Sequence, residues 1–235
     1  MNRRIIGAAC GLWLGLTGVA LGQTAEPVVV VELYTSQGCS SCPPADAYIA
    51  RLADRPGVLP LALHVDHWDY IGWADAFAQP KFTDRQRAYA AAAGSGSIYT
   101  PQTVVNGVDL AVGSDEALVD DQIRRHRAAP RLVDLQVTRN GENLAITAQA
   151  LGAGAGPMLV QLVRYTPSET VAIKRGENAG KTVTYRNIVT SWQKVGSWNG
   201  QGDLALSVPA AGPEPLAVIV QSEDAGPILA AVNLR

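Results

Sequence analysis

The chain has 235 residues, of which 47% are apolar and 17% are charged. A chain of this length and composition can bury a large core without metal ions or a framework of disulfides. The net charge of −2, together with the lack of a basic patch, argues against nucleic acid or an anionic membrane surface as a partner.

Residues 1–22 have the pattern of an export signal. A positive start is followed by an apolar run over residues 5–21, and Ala20-Leu21-Gly22 suits cleavage before Gln23. The run is short for a membrane-spanning helix and is broken by glycines. Patterns for a lipoprotein box at Cys10 and for twin-arginine export are incomplete. We expect a periplasmic or secreted protein, without stable membrane insertion after signal removal, in a compartment where disulfides persist.

The mature chain begins with the predicted order strand, C-x-x-C, helix. Residues 28–34 form a continuous, mostly β-branched run, which is typical of a strand buried on both faces in a parallel sheet. Cys39 and Cys42 follow this strand, and the only other cysteine lies in the expected signal. Pro43-Pro44 marks the start of a helix over residues 44–55, because proline is tolerated in a first helical turn.

The C-x-x-C spacing favours thiol–disulfide exchange. A thiol near a helix N-terminus is stabilised as thiolate by unpaired N–H groups and by the helix dipole. We expect Cys39 to be relatively exposed and to attack a substrate disulfide, and Cys42 to be shielded and to resolve the mixed disulfide. A structural disulfide and half of a zinc site are open alternatives. A disulfide that closes so short a loop constrains the unfolded chain little, which argues against a structural role. The sequence has no second C-x-x-C, which argues against a zinc site. Redox chemistry is therefore favoured.

Glu32 is an acid within the otherwise apolar first strand, seven positions before Cys39. A buried carboxylate is costly unless it is used, and burial raises its pKa into a range that suits proton exchange with Cys42. The alternative, that Glu32 faces a sheet edge or a seam between domains, is equally open.

The second predicted strand, residues 58–66, leads into a polar and aromatic segment over residues 64–73. Imidazole and thiolate are ligands for copper or zinc, so His64 and His67 could complete a metal site with Cys39 and Cys42. We favour instead a loop that frames a pocket beside the cysteines. The side chains expected to frame it are Ser40, Ser41, His67, Trp68 and Tyr70.

Three further elements complete the first half of the chain. Residues 75–93 are predicted to be helical and to end at a Gly-Ser-Gly break. Residues 102–112 predict a hairpin that turns at Asn106-Gly107. Ser114 is expected to cap a last helix that ends near residue 128. The predicted order is therefore β-α-β-α-β-β-α.

This order of elements resembles the thioredoxin-like superfamily, in which a cis-proline loop before a hairpin packs against the C-x-x-C. Thr100-Pro101 stands at that place in this sequence. The resemblance implies a cis Thr100–Pro101 bond, with the Thr100 backbone pairing an extended substrate and Pro101 forming the substrate-side wall. It also implies a proton-relaying acid close to Glu32, offset by one residue.

A closer resemblance extends over most of the mature chain. Residues 32–46, 64–73, 100–102 and 175–180 are similar to secreted bacterial proteins catalogued as a domain of unknown function, thioredoxin-like with an added β-rich half. The resemblance implies kinship more than activity. Gly38, where thioredoxins have an aromatic residue, is one departure from that pattern.

After Pro130 the pattern changes to many short alternating runs separated by Gly and Pro turns, which indicates a β-sandwich or related sheet. We therefore predict an α/β thioredoxin-like domain over residues 23–130 and an all-β sandwich-like domain over residues 131–235. The polar loop at residues 174–181 either folds back over the cysteines or is a solvated hairpin loop.

Taken together, the sequence predicts a periplasmic thiol–disulfide oxidoreductase with Cys39 as nucleophile, Cys42 as resolving cysteine, Thr100 and Pro101 beside the substrate, and Glu32 as proton relay. Protein or small-thiol redox partners are expected, and no cofactor is implied. Two other classes stay open: a copper- or zinc-handling protein, and a non-catalytic binding module with a structural disulfide. The oligomeric state is not indicated.

Overall fold

The computed structural model describes residues 28–152 and 156–234, so the predicted export signal lies outside the described residues. None of the helices in these two ranges has the length and apolar character needed to cross a membrane. The helices are α1 (Pro43–Leu52), α2 (Pro80–Ala92) and α3 (Glu116–Ala128), with a 3₁₀ turn at Asp69–Ile71. The strands are β1 (Val29–Thr35), β2 (Val58–His64), β3 (Gln102–Val105), β4 (Asp109–Val112), β5 (Val133–Asn140), β6 (Asn143–Ala150), β7 (Met158–Ala172), β8 (Thr182–Trp198), β9 (Leu204–Pro209), β10 (Leu216–Ser222) and β11 (Ile228–Leu234).

Strand β1 is buried along its whole length, as its continuous apolar sequence predicts. It pairs with β2 in parallel and with β3 in antiparallel orientation. Helices α1 and α3 cover the face of β1 that carries Val31 and Leu33, and α2 covers the face that carries Val30 and Tyr34. The element order predicted for this half is the observed one.

Helix α2 begins at Pro80, five residues later than predicted. Asp75 is the reason, because its carboxylate accepts a hydrogen bond from the Phe77 N–H within the segment before the helix and another from the Gln37 N–H in the turn after β1. Helix α3 is capped by Asp115, whose side chain accepts from Leu118 N–H, and not by Ser114.

The predicted fold class, a thioredoxin-like domain followed by a separate β-sandwich, is wrong. Strand β8 pairs in parallel with β2 through Ile188 and Ala62. Strands from both sides of residue 130 therefore form one mixed eight-stranded sheet, in the order β11-β10-β7-β8-β2-β1-β3-β4. Strands β5, β6 and β9 form a three-stranded sheet that packs against β7, β10 and β11 through a shared apolar core.

The long strands β7 and β8 explain the error. The alternation of β7 breaks where its register with β8 shifts, between Val160 and Gln161 and again between Arg164 and Tyr165. Such irregularities interrupt the two-residue period without ending the strand, so local periodicity predicts short runs in place of one long strand. The pairing of β8 with β2 joins residues more than a hundred positions apart, and local sequence pattern carries no information about it.

Candidate functional site

Cys39 and Cys42 form a disulfide between the end of β1 and the start of α1, with Cα atoms 5.4 Å apart. Cys42 directly precedes the helix and donates its N–H to Cys39 O. Both cysteines are buried, with 2% and 0% exposure, whereas Ser40 and Ser41 between them are exposed. The prediction of a relatively exposed Cys39 is therefore wrong for the oxidised protein.

The start of α1 offers few N–H donors to a thiolate. Pro43 and Pro44 occupy the first two helical positions and have no N–H. The N–H of Cys42 is already bonded to Cys39 O, which leaves that of Ala45 in the first turn. Of the two contributions to thiolate stabilisation expected from the sequence, the geometry limits the unpaired N–H groups and leaves the helix dipole.

The Thr100–Pro101 loop lies against the disulfide loop, and its peptide bond is cis, the conformation that the resemblance implied. The Ser41 hydroxyl oxygen is 3.4 Å from Cys39 Sγ and 3.5 Å from Thr100 O. Pro101 is buried. The structure therefore brings Thr100, Pro101 and Ser41 to the cysteines.

Trp68 is the second predicted framing residue at the site, because its Nε1–H donates to Thr100 Oγ1 at 2.7 Å. Tyr70 is 81% exposed, which is too open to enclose a pocket. His67 is half-buried with its ring beside Trp68, and burial lowers its pKa. The loop after β2 thus frames the site mainly through Trp68.

His64 and His67 do not form a ligand set with the cysteines. His64 is fully buried at the end of β2, with Nδ1 2.6 Å from Asp75 Oδ2. Within residues 28–152 and 156–234, no group of three or more His, Cys, Asp and Glu side chains is arranged to hold a metal ion.

A buried acid that the sequence interpretation missed lies behind the disulfide. Asp46 follows Cys42 by one helical turn, so the two side chains project from the same side of α1, with Cβ atoms about 5–6 Å apart. Its Oδ1 accepts a hydrogen bond of 2.7 Å from the Thr35 hydroxyl. The pKa of Asp46 is raised to about 7, chiefly by burial. The nearby Asp75 adds to the rise, whereas His64 and the hydrogen bond from Thr35 act against it. The i, i+4 spacing from Cys42 was the signal that could have identified this residue.

Asp75 connects the loop after β2 to the turn before Cys39. Its Oδ2 accepts from His64 Nδ1 and from the Gln37 N–H, the latter at 2.8 Å. Trp73 adds a second tie, because its Nε1–H donates to Gln37 Oε1 at 2.7 Å. Gln37 is thereby held on both its backbone and its side chain, and it fixes the turn that presents Cys39.

The second half of the chain also reaches the site. Asn178, in the loop between β7 and β8, is 1% exposed and donates its two amide hydrogens to Gln37 O at 2.9 Å and Cys39 O at 2.8 Å. Of the two alternatives for this polar loop, the structure shows the one in which it folds back over the cysteine turn.

Glu32 is not brought to the cysteines. It lies on the face of β1 that α2 covers, opposite α1, and is fully buried. Arg85 donates to both carboxylate oxygens at 2.7 and 2.8 Å, and the hydroxyls of Tyr34 and Tyr89 donate to them as well. Glu32 therefore anchors a buried ion pair, and the predicted relay to Cys42 has no path in this geometry.

A sequence profile described as "Protein of unknown function (DUF1223)" matches residues 30–221. The chain belongs to this family. The crystal structure of a protein from Agrobacterium tumefaciens is similar to it at 32% identity and a TM-score of 0.76, covering 89% of this chain and 95% of that one. HBP35 of Porphyromonas gingivalis shares the fold at 16% identity and a TM-score of 0.63, covering 91% of this chain and 76% of that chain. No curated protein matches the chain. The family is established, and these comparisons add no support for the thioredoxin-like superfamily.

Proposed function

We propose that this protein is a thiol–disulfide oxidoreductase that uses the Cys39/Cys42 couple on protein or small-molecule thiols and disulfides outside the cytoplasm. The observation that supports this most is the buried carboxyl of Asp46, one turn behind Cys42 and with its pKa raised to about 7. A disulfide that serves only as a clip has no use for a group that exchanges a proton near neutral pH, whereas a resolving cysteine does.

Exchange begins when the Cys39 thiolate of the reduced protein attacks one sulfur of a substrate disulfide. A mixed disulfide forms and the other substrate sulfur leaves as thiolate. Cys42 then gives its proton to the Asp46 carboxylate and attacks Cys39 Sγ. This step restores the Cys39–Cys42 disulfide and releases the second substrate thiolate, which takes up a proton. The reverse sequence oxidises a substrate dithiol, and the reduction potential of the couple sets the balance between the two directions.

The neighbouring loops hold the reacting groups in register. Thr100 and Pro101 lie against the disulfide loop, and Ser41 bridges Cys39 Sγ and Thr100 O. Asp75 holds the Gln37 N–H from the other side. With the turn fixed in this way, Cys39 moves little between attack and resolution, which favours exchange within one site over release of the mixed disulfide.

Trapping the mixed disulfide tests the proposal. A Cys42→Ser variant, reduced and mixed with oxidised glutathione or a disulfide-containing peptide, is expected to accumulate a stable adduct on Cys39, measured by mass spectrometry. Cys39→Ser is the matched control and is expected to form less adduct, because Cys42 is the more deeply placed sulfur. If Cys42→Ser forms no adduct under conditions in which oxidised glutathione re-forms the wild-type disulfide, Cys39 is ruled out as the attacking group.

The burial of both sulfurs favours one second candidate, a non-catalytic module with a structural disulfide. A reduction potential below about −300 mV in thiol redox buffers is expected for that function, since structural disulfides resist reduction by glutathione. A higher potential, together with turnover of a disulfide substrate, would support the oxidoreductase instead.

A further inference from the structure

The loop between β7 and β8, residues 173–181, is a preformed structure and is here termed the β7–β8 loop. Its base is closed by backbone bonds from Ile173 N–H to Lys181 O and from Gly180 N–H to Ile173 O, at 2.9 and 2.8 Å. Ile173 is buried at 2% exposure. A loop that is internally bonded at its base moves as a unit when it opens.

Asn178 holds this loop against the cysteine turn with all of its side-chain hydrogen-bonding groups. Its two N–H groups bond Gln37 O and Cys39 O, and its Oδ1 accepts from Lys181 Nζ at 2.8 Å. Because the side chain is buried, opening the loop leaves an amide and two backbone carbonyls without partners unless water or another molecule replaces them.

A second contact lies beside the first. Gly176 has a φ of +75° and approaches Trp73 so closely that a Cβ on it would lie 3.2 Å from Trp73 Cβ. Trp73 in turn bonds the side chain of Gln37. The β7–β8 loop therefore meets the turn before Cys39 both directly and through the loop after β2.

We propose that the β7–β8 loop decides which molecules reach Cys39 and that Asn178 is the positioning residue that keeps the loop closed. The proposal rests on the proposed function. Cys39 is 2% exposed, so a reagent reaches its sulfur only when the packing around the cysteine turn shifts. The bonds from Asn178 to Gln37 O and Cys39 O hold the loop in that packing. An extended polypeptide has C=O groups for Asn178 and N–H groups for the released carbonyls, so it can replace the bonds that opening breaks. A small dithiol such as dithiothreitol carries only two hydroxyls, which are too few to replace all three bonds of the Asn178 side chain. The preferred substrate class is therefore a polypeptide thiol or disulfide.

The test compares Asn178→Ala with wild type in the rate at which dithiothreitol reduces the oxidised protein. Losing two hydrogen bonds of ordinary net strength shifts an opening equilibrium by roughly tenfold to a hundredfold, and the rate is expected to rise accordingly. Glu177→Ala, at the adjacent exposed position, is the matched control and is expected to keep the wild-type rate. Lys181→Met keeps Asn178 and removes its support, so a smaller increase is expected there.

A size comparison separates selective access from general loosening of the fold. The ratio of the rate with a cysteine-containing peptide to the rate with dithiothreitol is expected to fall in Asn178→Ala, while hydrogen exchange rises at residues 37–39 and 173–181 and stays unchanged elsewhere. Wild-type rates in a folded Asn178→Ala protein, or an equal rise for both reagents, would overturn the proposal. A third outcome separates the two proposals. If reduction by dithiothreitol accelerates in Asn178→Ala but neither wild type nor any variant exchanges disulfides with a peptide, the role of the loop in closing the site is supported and the oxidoreductase proposal fails.

Discussion

Replacing Asp46 with Asn tests the acid behind Cys42 most directly. Asn has nearly the same shape, and its Oδ1 can still accept the hydrogen bond that the Thr35 hydroxyl donates to Asp46 Oδ1. It cannot take up or release a proton. Any difference from wild type that depends on pH then reports on the ionisation of the carboxyl, in a site where His64, Asp75 and Tyr185 are the titratable neighbours.

The size of the expected difference in stability follows from the raised pKa of Asp46. The pKa of Asp46 rises from 3.8 to about 7 on folding, chiefly through burial. Each pKa unit corresponds to about 1.4 kcal/mol, so the charged carboxylate lowers the free energy of unfolding by about 4 kcal/mol above pH 7. The folded state binds more protons than the unfolded state between these two pKa values. The stabilisation that the protonated Asp46 carboxyl gives the folded state is therefore fully present below about pH 4 and is lost as pH rises to about 7.

The assay is urea unfolding of the oxidised proteins at pH 4.5 and pH 8. Asp46→Asn is expected to be more stable than wild type by a few kcal/mol at pH 8 and to lie within about 1 kcal/mol of it at pH 4.5. In the reduced protein, the variant is expected to resolve mixed disulfides more slowly at pH 7 while its first attack keeps the wild-type rate. A stability difference that is the same at both pH values would refute the reasoning, because Asp46 would then be ionised throughout.

Three further substitutions test the assignment of neighbouring residues. Glu32→Gln leaves Arg85 without its buried charged partner, so we expect the free energy of unfolding to fall by about 3 kcal/mol while the rate of disulfide reduction stays unchanged. A slower reduction with the stability retained would contradict the structural role of Glu32. Gly113→Ala places a Cβ 3.0 Å from Pro101 Cβ, and a loss of about 1–3 kcal/mol with slower exchange is expected from thermal unfolding and adduct formation. Trp68→Phe removes the hydrogen bond to the Thr100 loop and is expected to cost about 1 kcal/mol, measured by urea unfolding.

The parts of the site that could be predicted from sequence are those encoded within one short segment. Residues 28–34 predict a buried strand and Pro43-Pro44 a helix start, and together they place the disulfide between the two elements, where it is observed. Asp46 was equally accessible to this reasoning, because its spacing from Cys42 is local.

The parts that could not be predicted depend on packing between distant segments. Arg85 and Tyr89, two of the partners of Glu32, lie on α2, so tertiary structure decides whether the carboxylate serves the cysteines or an ion pair. The Cys39 carbonyl is likewise held by Asn178, which is 139 positions further along the chain. A sequence pattern assigns a residue to an element and a face, but the contacts that bury it come from elsewhere.

The second half of the chain therefore belongs to the site and is not an appended module. Asn178 binds the cysteine turn, and the ring of Tyr185 packs edge-on against His64 with centroids 4.9 Å apart. Gln221 on β10 accepts from Arg85, the partner of Glu32, so the ion pair too is completed from the second half. Removing residues after 130 would expose the edge of β2, the His64 ring and the carbonyls of the cysteine turn together. If the Cys39/Cys42 couple exchanges disulfides, its reactivity depends on contacts from both halves of the chain, which the continuous sheet holds together.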